Sequence, residues 1–209
     1  MTDAHAVEPA AAERSHPVSA PRGLGWLYVV GGVIGFAGSF ALILEKLQKL
    51  ADSGYVPTCS INPIISCGSV MESAQAAVLG FPNPLIGVAS FPVVVTAGVA
   101  VLAEFRPPRW FWLGMQLGTT LAVGFIHWLV VQSLYEIGAL CPYCMVVWVV
   151  TIPLFWYTTL HNLEAGNFGG GKFVGAALRR VHSVVLVVWY LVIVALILQR
   201  FWDYWTTLV

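Results

Sequence analysis

Residues 24–44 read LGWLYVVGGVIGFAGSFALIL, an unbroken run of apolar and small residues without a single charge. A helix needs about 20 mostly apolar residues to cross the hydrocarbon core of a bilayer, and this run meets that length. It is too long for the core of a signal peptide, and no small-residue cleavage pattern closes it, so it is expected to stay in the mature protein. Four further stretches qualify: 84–103, 110–131, 141–160 and 181–201. Composition agrees, with 58% of residues hydrophobic and only 10% charged, and a mean hydropathy of +0.81. A β-barrel would alternate over short segments, and lipid tolerates no other backbone that fails to satisfy its own hydrogen bonds. The expected fold is an all-α integral membrane protein with five transmembrane helices.

Orientation follows from the cations. Arg14, Arg22, Arg106, Arg109, Lys172, Arg179 and Arg180 fall on one side of these spans, against Lys46, Lys49 and Arg200 on the other. By the positive-inside rule the N-terminus is expected in the cytoplasm of a multi-pass plasma (inner) membrane protein. Residues 1–22, rich in Ala, Pro, Glu, Ser and His, read as a disordered cytoplasmic tail. An external loop is expected over 45–83, and a tight Arg106-Pro107-Pro108-Arg109 turn over the inner side. A cytoplasmic loop is expected over 162–180, and a fifth span with an external C-terminus over 181–209. The glycine run 169–171 reads as a linker, because no strand precedes it and no Lys-Ser or Lys-Thr follows it. Zero formal net charge offers no footprint for nucleic acid.

The chain has four cysteines, and they fall into two pairs on the expected outer side: Cys59 with Cys67, and Cys141 with Cys144. In Cys141-Pro142-Tyr143-Cys144 the cysteines share one helix face, and Pro142 is preorganised for a first helical position. Unpaired amides and the positive dipole end of such a helix stabilise a thiolate, which favours a reactive pair. A structural bridge this short would constrain little chain. Half of a metal site remains the other reading. Cys59 and Cys67 could by themselves be a loop staple, but a mobile dithiol above a helix-end dithiol is what thiol–disulfide exchange requires.

Other features have structural readings. Gly31, Gly32, Gly35 and Gly38 include a small-xxx-small spacing suited to close helix packing. Phe201, Trp202, Tyr204 and Trp205 read as an interfacial anchor. His127, an ionisable group within the third span, could relay a proton at a cofactor site or bond a neighbour.

Cys59-x7-Cys67, the following Gly68-Ser69-Val70 and Ser73, the segment Phe81-Pro82-Asn83-Pro84-Leu85-Ile86-Gly87, and Cys141-Pro142-Tyr143-Cys144 together resemble the vitamin K epoxide reductase (VKOR) family, particularly its bacterial members, over about residues 24–160. The resemblance implies a four-helix catalytic domain over 23–161 around a quinone, capped by a short helix in the loop, with the fifth helix an addition. It implies that Cys144 meets the quinone and that Cys141 exchanges with the loop through Cys67. Cys59 would then face an external partner. It also assigns quinone-side roles to Ser73, to Asn83 and to Trp148, which stands where vertebrate members carry a quinone-binding tyrosine. Many bacterial relatives fuse a thioredoxin-like domain after the last span. This chain ends at Val209, so a separate partner is expected.

The expected activity is therefore that of a quinone-dependent thiol oxidase. It would take electrons from a secreted or periplasmic thioredoxin-like (DsbA-like) protein and deliver them to a membrane quinone (menaquinone, ubiquinone or vitamin K-like). Two alternatives stand beside it. A DsbB-like quinone reductase of unrelated fold would carry its CxxC in the first external loop, the reverse of the order here. A non-enzymatic membrane protein could hold one zinc on the four thiols.

Overall fold

The computed structural model describes residues 20–206, so most of the N-terminal tail read from composition lies outside the described residues. The elements in chain order are α1 (Arg22–Ala51), α2 (Cys67–Glu72), a 3-10 turn (Ala74–Ala77), α3 (Pro84–Leu102), α4 (Arg109–Val131), a π-helical turn (Gln132–Ile137), α5 (Pro142–Ala165), α6 (Lys172–Arg180), α7 (His182–Arg200) and α8 (Trp202–Thr206). Among the described residues the only extended pairing is an isolated bridge. Five helices are long and apolar enough to cross a membrane, α1, α3, α4 with its π turn, α5 and α7. The chain is an all-α, multi-pass membrane protein.

Prolines mark the starts of α3, α4 and α5. Pro84 and Pro142 open α3 and α5, where the missing N–H would have had no intrahelical partner. Pro108 precedes α4 in extended conformation. Pro92 and Pro153 lie inside α3 and α5, a position that membrane helices tolerate when neighbours satisfy the freed carbonyls.

Helices α1, α3, α4 and α5 form the bundle, with α1 seated against α3 and α5, and α4 against α5. The glycines of α1 explain the closeness. A Cβ at Gly32 would press on Val95 and one at Gly35 would overlap the Phe91 ring, both on α3, while Gly31 and Gly38 meet Leu154 and the Tyr143–Val147 stretch of α5. Without a hydrophobic drive between helices in lipid, such intimate packing is a main source of association. It is reinforced by Tyr28, whose hydroxyl donates to Thr158 Oγ1 because the Thr158 proton is already given to the Leu154 carbonyl. At the end of the bundle away from the cysteines, fully buried Asn162 bonds the Trp112 carbonyl and Gln116 of α4, and accepts from Asn167, whose own carbonyl takes the Arg109 Nε–H.

Helix α7 lies outside the bundle, and none of its residues is fully buried. Leu186, Trp189, Tyr190, Ile193 and Ile197 pack on a core layer that includes Ile126, Val130, Trp148 and Ile152. Polar contacts fix it: Tyr190 donates to the Val149 carbonyl at 2.7 Å and Arg200 Nε to the Leu134 carbonyl at 2.8 Å. The connector read as a loop over 162–180 holds a helix of its own. α6 is amphipathic, sets Gly175 against Leu163 and Glu164 at the end of α5, and pairs Arg179 with Glu164. The glycines 169 and 171 before it adopt φ of 85° and 92°, so that stretch is a defined turn.

Candidate active site

The segment after α1 returns over the bundle end as a cap, and charged groups near the end of α1 hold it. Lys46 Nζ donates to the Met71 carbonyl at 2.8 Å, satisfying a free carbonyl at the end of α2, and Lys49 pairs with Glu72 at 2.8 Å. The Lys49 ammonium also holds the Glu72 carboxyl below its usual range. Glu45, only 8% exposed, accepts from the Tyr55 hydroxyl at 2.9 Å, the Thr58 amide at 3.2 Å and the Thr58 hydroxyl. At its other end the cap is tied to the bundle by backbone. Leu140 N–H donates to the Ile64 carbonyl at 2.7 Å and Ser66 N–H to the Leu140 carbonyl at 2.9 Å. Gly138, at φ 69°, turns the chain out of the π turn so that this bridge can form.

The bridge sets the chemistry, because the next residue along each chain segment leads to a cysteine. Cys59 and Cys67 are joined in a disulfide, with their Cα atoms 5.6 Å apart. The free Cys141 thiol lies 3.2 Å from the Cys67 sulfur. That is the approach needed for thiolate attack on a disulfide. All three sulfurs are covered: Cys59 is 6%, Cys67 0% and Cys141 1% exposed. Cys141 is the N-cap of α5, and the Cys144 thiol together with the amides of Cys144 and Tyr143 holds its thiol below the ordinary cysteine range against the opposing effect of burial. Ser66 caps α2 by accepting from the Ser69 amide at 3.2 Å, which starts that helix at Cys67.

Cys144, half-buried on the next turn of α5, lines an apolar cavity of about 140 Å³. Its wall includes Ser73 and Asn83 of the cap, Phe91 of α3, Phe125 of α4 and Trp148, one turn beyond Cys144. An apolar cavity of about 150 Å³ admits one benzene-sized ring, so the space suits a single ring.

Ser73 and Asn83 face this cavity with different capacities. The Ser73 proton is given to the Val70 carbonyl at 2.7 Å, leaving that oxygen only able to accept. Asn83 accepts from the Val78 amide at 3.2 Å and donates to the Gln75 carbonyl at 2.7 Å. Its second amide hydrogen has no partner among the described residues and could serve a ligand. Sequence reasoning missed Lys46 and Gln75, which also line the cavity. Gln75 reaches Gln132 of the π turn at 3.2 Å. Neither has a motif, and only the folded cap brings them there.

His127 is placed away from the cavity wall. Its Nδ1 donates to the Val123 carbonyl at 2.7 Å and its Nε2 accepts from the Trp189 indole at 2.8 Å. Both nitrogens of a neutral ring are thus used, and the residue ties α7 to α4. His127→Leu is expected to leave thiol-dependent turnover within about twofold of wild type and to weaken α7 docking by about 0.6 kcal/mol, the mean for interhelical hydrogen bonds in membranes. Turnover assays and thermal unfolding in detergent check this. A tenfold loss of turnover in the folded variant would restore the relay role.

The four cysteines do not present a thiolate cage, since two of them are bonded to each other. Among the described residues, no group of three or more His, Cys, Asp or Glu side chains gathers as a metal site.

The sequence model of the vitamin K epoxide reductase family matches residues 26–159 of the 209. The chain belongs to the vitamin K epoxide reductase family. The match spans α1 through α5, the bundle and cap that carry all four cysteines, and leaves α6 and α7 outside. No curated protein matches the chain. As a member of the vitamin K epoxide reductase family it is a multi-pass membrane oxidoreductase of thiol–disulfide chemistry, in a family that uses quinones.

Proposed function

We propose that the protein is a thiol oxidase that relays two electrons from a secreted or periplasmic thioredoxin-like (DsbA-like) protein, through Cys59/Cys67 and then Cys141/Cys144, to a membrane quinone. The observation that carries this reading is the 3.2 Å approach of the Cys141 and Cys67 sulfurs beside the cavity lined by Cys144. The seven-to-three division of Lys and Arg supports a cytoplasmic N-terminus, with the cysteine end in the extracytoplasmic compartment of a plasma (inner) membrane, where disulfides persist.

A partner thiolate attacks the Cys59 sulfur and releases Cys67 as a thiolate. The partner's second thiolate then attacks the partner's first sulfur and releases Cys59, so the partner leaves as a disulfide and Cys59 and Cys67 are both reduced. Val56 and Ile61, exposed either side of Cys59, offer apolar surface for that encounter. The Cys67 thiolate then attacks Cys141 of the Cys141–Cys144 disulfide, forming a Cys67–Cys141 bond and freeing Cys144. Cys59 attacks Cys67 in turn, which restores the loop disulfide and leaves Cys141 and Cys144 reduced. This is the pairing of the structure, with the loop oxidised and the helix-end pair as thiols. A quinone bound in the cavity supplies an acceptor for two electrons and two protons. Cys144 delivers the electrons there, and Cys141 closes the disulfide with it. Trp148, Phe91 and Phe125 would hold the ring, and the Asn83 amide would be the donor available to a ring oxygen, an interaction that mostly apolar walls would strengthen.

Cys144→Ala tests the assignment by trapping. Without Cys144 the helix-end disulfide cannot form, so a freed Cys67 has no disulfide to attack and Cys141 can pair only with Cys67, by attacking the loop disulfide and releasing Cys59. A Cys67–Cys141 bond, or a mixed disulfide of Cys59 to the partner, is expected to accumulate on non-reducing gels and in peptide mass spectra while quinone reduction stops. Quinone reduction that continues in this variant removes Cys144 from its role.

A further inference from the structure

Glu45 is a buried carboxylate at the cysteine end of the bundle that takes no part in the sulfur relay, yet three donors of one short segment converge on it. Tyr55 and Thr58 supply all three, and Thr58 immediately precedes Cys59. Bonds to a charged acceptor are about twice as strong as neutral ones. The carboxylate therefore fixes the segment 55–58 on α1 while the Ile64–Leu140–Ser66 bridge fixes the other side of the disulfide. Between these two anchors Cys59 is held covered, and Cys67 is held against Cys141. Cys59 is only 6% exposed, so ready attack by a protein thiolate from outside calls for the 55–58 segment to lift.

We propose that Glu45 is a positioning residue of the relay, whose clamp on Tyr55 and Thr58 keeps Cys59 covered and Cys67 against Cys141 when closed, and admits the external thiol when open. The inference rests on the relay reading above for the role it gives Cys67. It adds a division of labour: closed, the cap favours transfer inward to the helix-end pair; open, it favours entry of electrons from outside.

Two variants loosen the clamp from opposite sides. Glu45→Gln weakens the acceptor, and the double variant Tyr55→Phe with Thr58→Val removes both side-chain donors while leaving α1 untouched. In a Cys141→Ala, Cys144→Ala background the loop pair holds the only remaining cysteines of the chain. There, reduction of the loop disulfide by dithiothreitol, followed by maleimide gel shift, is expected to run roughly five- to tenfold faster in both variants than with the clamp intact. In the four-cysteine protein, turnover from reduced thioredoxin to a short-chain ubiquinone is expected to show KM for thioredoxin falling and kcat falling severalfold. A loss of packing alone would lower the melting temperature without that split. An unchanged rate of loop reduction with unchanged KM, in either variant that folds, overturns the clamp. If the four-cysteine wild type reduces no quinone while loop reduction still accelerates, the clamp stands as the guard of Cys59 and the relay reading falls.

Discussion

With Cys67 replaced by serine, electron flow from a protein dithiol such as reduced thioredoxin to quinone is expected to fall by roughly three orders of magnitude or more, as removing a chemically essential group does. The cause is burial as well as chemistry. Cys141 is 1% exposed beneath the cap, so a macromolecular thiol has no direct route to the helix-end pair, and the sulfur 3.2 Å away is the one on Cys67. Serine keeps the size and the hydrogen-bonding of the position but cannot accept a thiolate. Cap and bundle are expected to remain folded, because the Ile64–Leu140–Ser66 bridge and the Lys46, Lys49 and Glu45 contacts do not involve the sulfur. The measurement is steady-state quinone reduction with thioredoxin as donor. Turnover within tenfold of wild type would mean that electrons enter the Cys141–Cys144 pair without the loop.

Gly35→Leu is expected to destabilise the protein by about 3 kcal/mol, at the upper end of overpacking costs. Even a single Cβ at this position overlaps the Phe91 ring of α3. Phe91 is 6% exposed, belongs to the main core cluster and lines the cavity, so it cannot simply turn away. Either α1 moves off α3 or Phe91 swings into the proposed quinone site. Gly114→Leu on α4 is the control, because a Cβ there would meet nothing within 4 Å. Thermal unfolding in detergent is expected to show a large downward shift for Gly35→Leu and almost none for Gly114→Leu. Equal melting temperatures would show that α1 and α3 are not packed at this glycine.

The spans were legible because lipid imposes a length and a polarity on every helix that crosses it. The runs at 24–44 and 84–103 coincide with α1 and α3 to within a helical turn or two for that reason. The CxxC at the start of α5 was legible because proline at the first helical position is a local preference. The glycines of α1 announced close packing through their spacing, though not the partner. By contrast, α6 is hidden inside a segment whose composition reads as a loop, because its nine amphipathic residues are fewer than the stretch over which a helical period is read.

The sequence by itself determined a five-span helical membrane protein with two thiol pairs at one end, since hydrophobic length and helix-end chemistry are properties of contiguous residues. Only the tertiary structure decided which sulfurs meet and what holds them. The Cys67–Cys141 contact depends on a two-bond bridge between residues 64–66 and 140, and the cover over Cys59 on a carboxylate that precedes it by fourteen positions. It also assigned His127 to α7 rather than to the cavity, and left Asn83 with a hydrogen to offer where Ser73 has none. Hydrogen-bond partners distant along the chain leave no period or motif, because their cost and benefit appear only once folding has removed water from both.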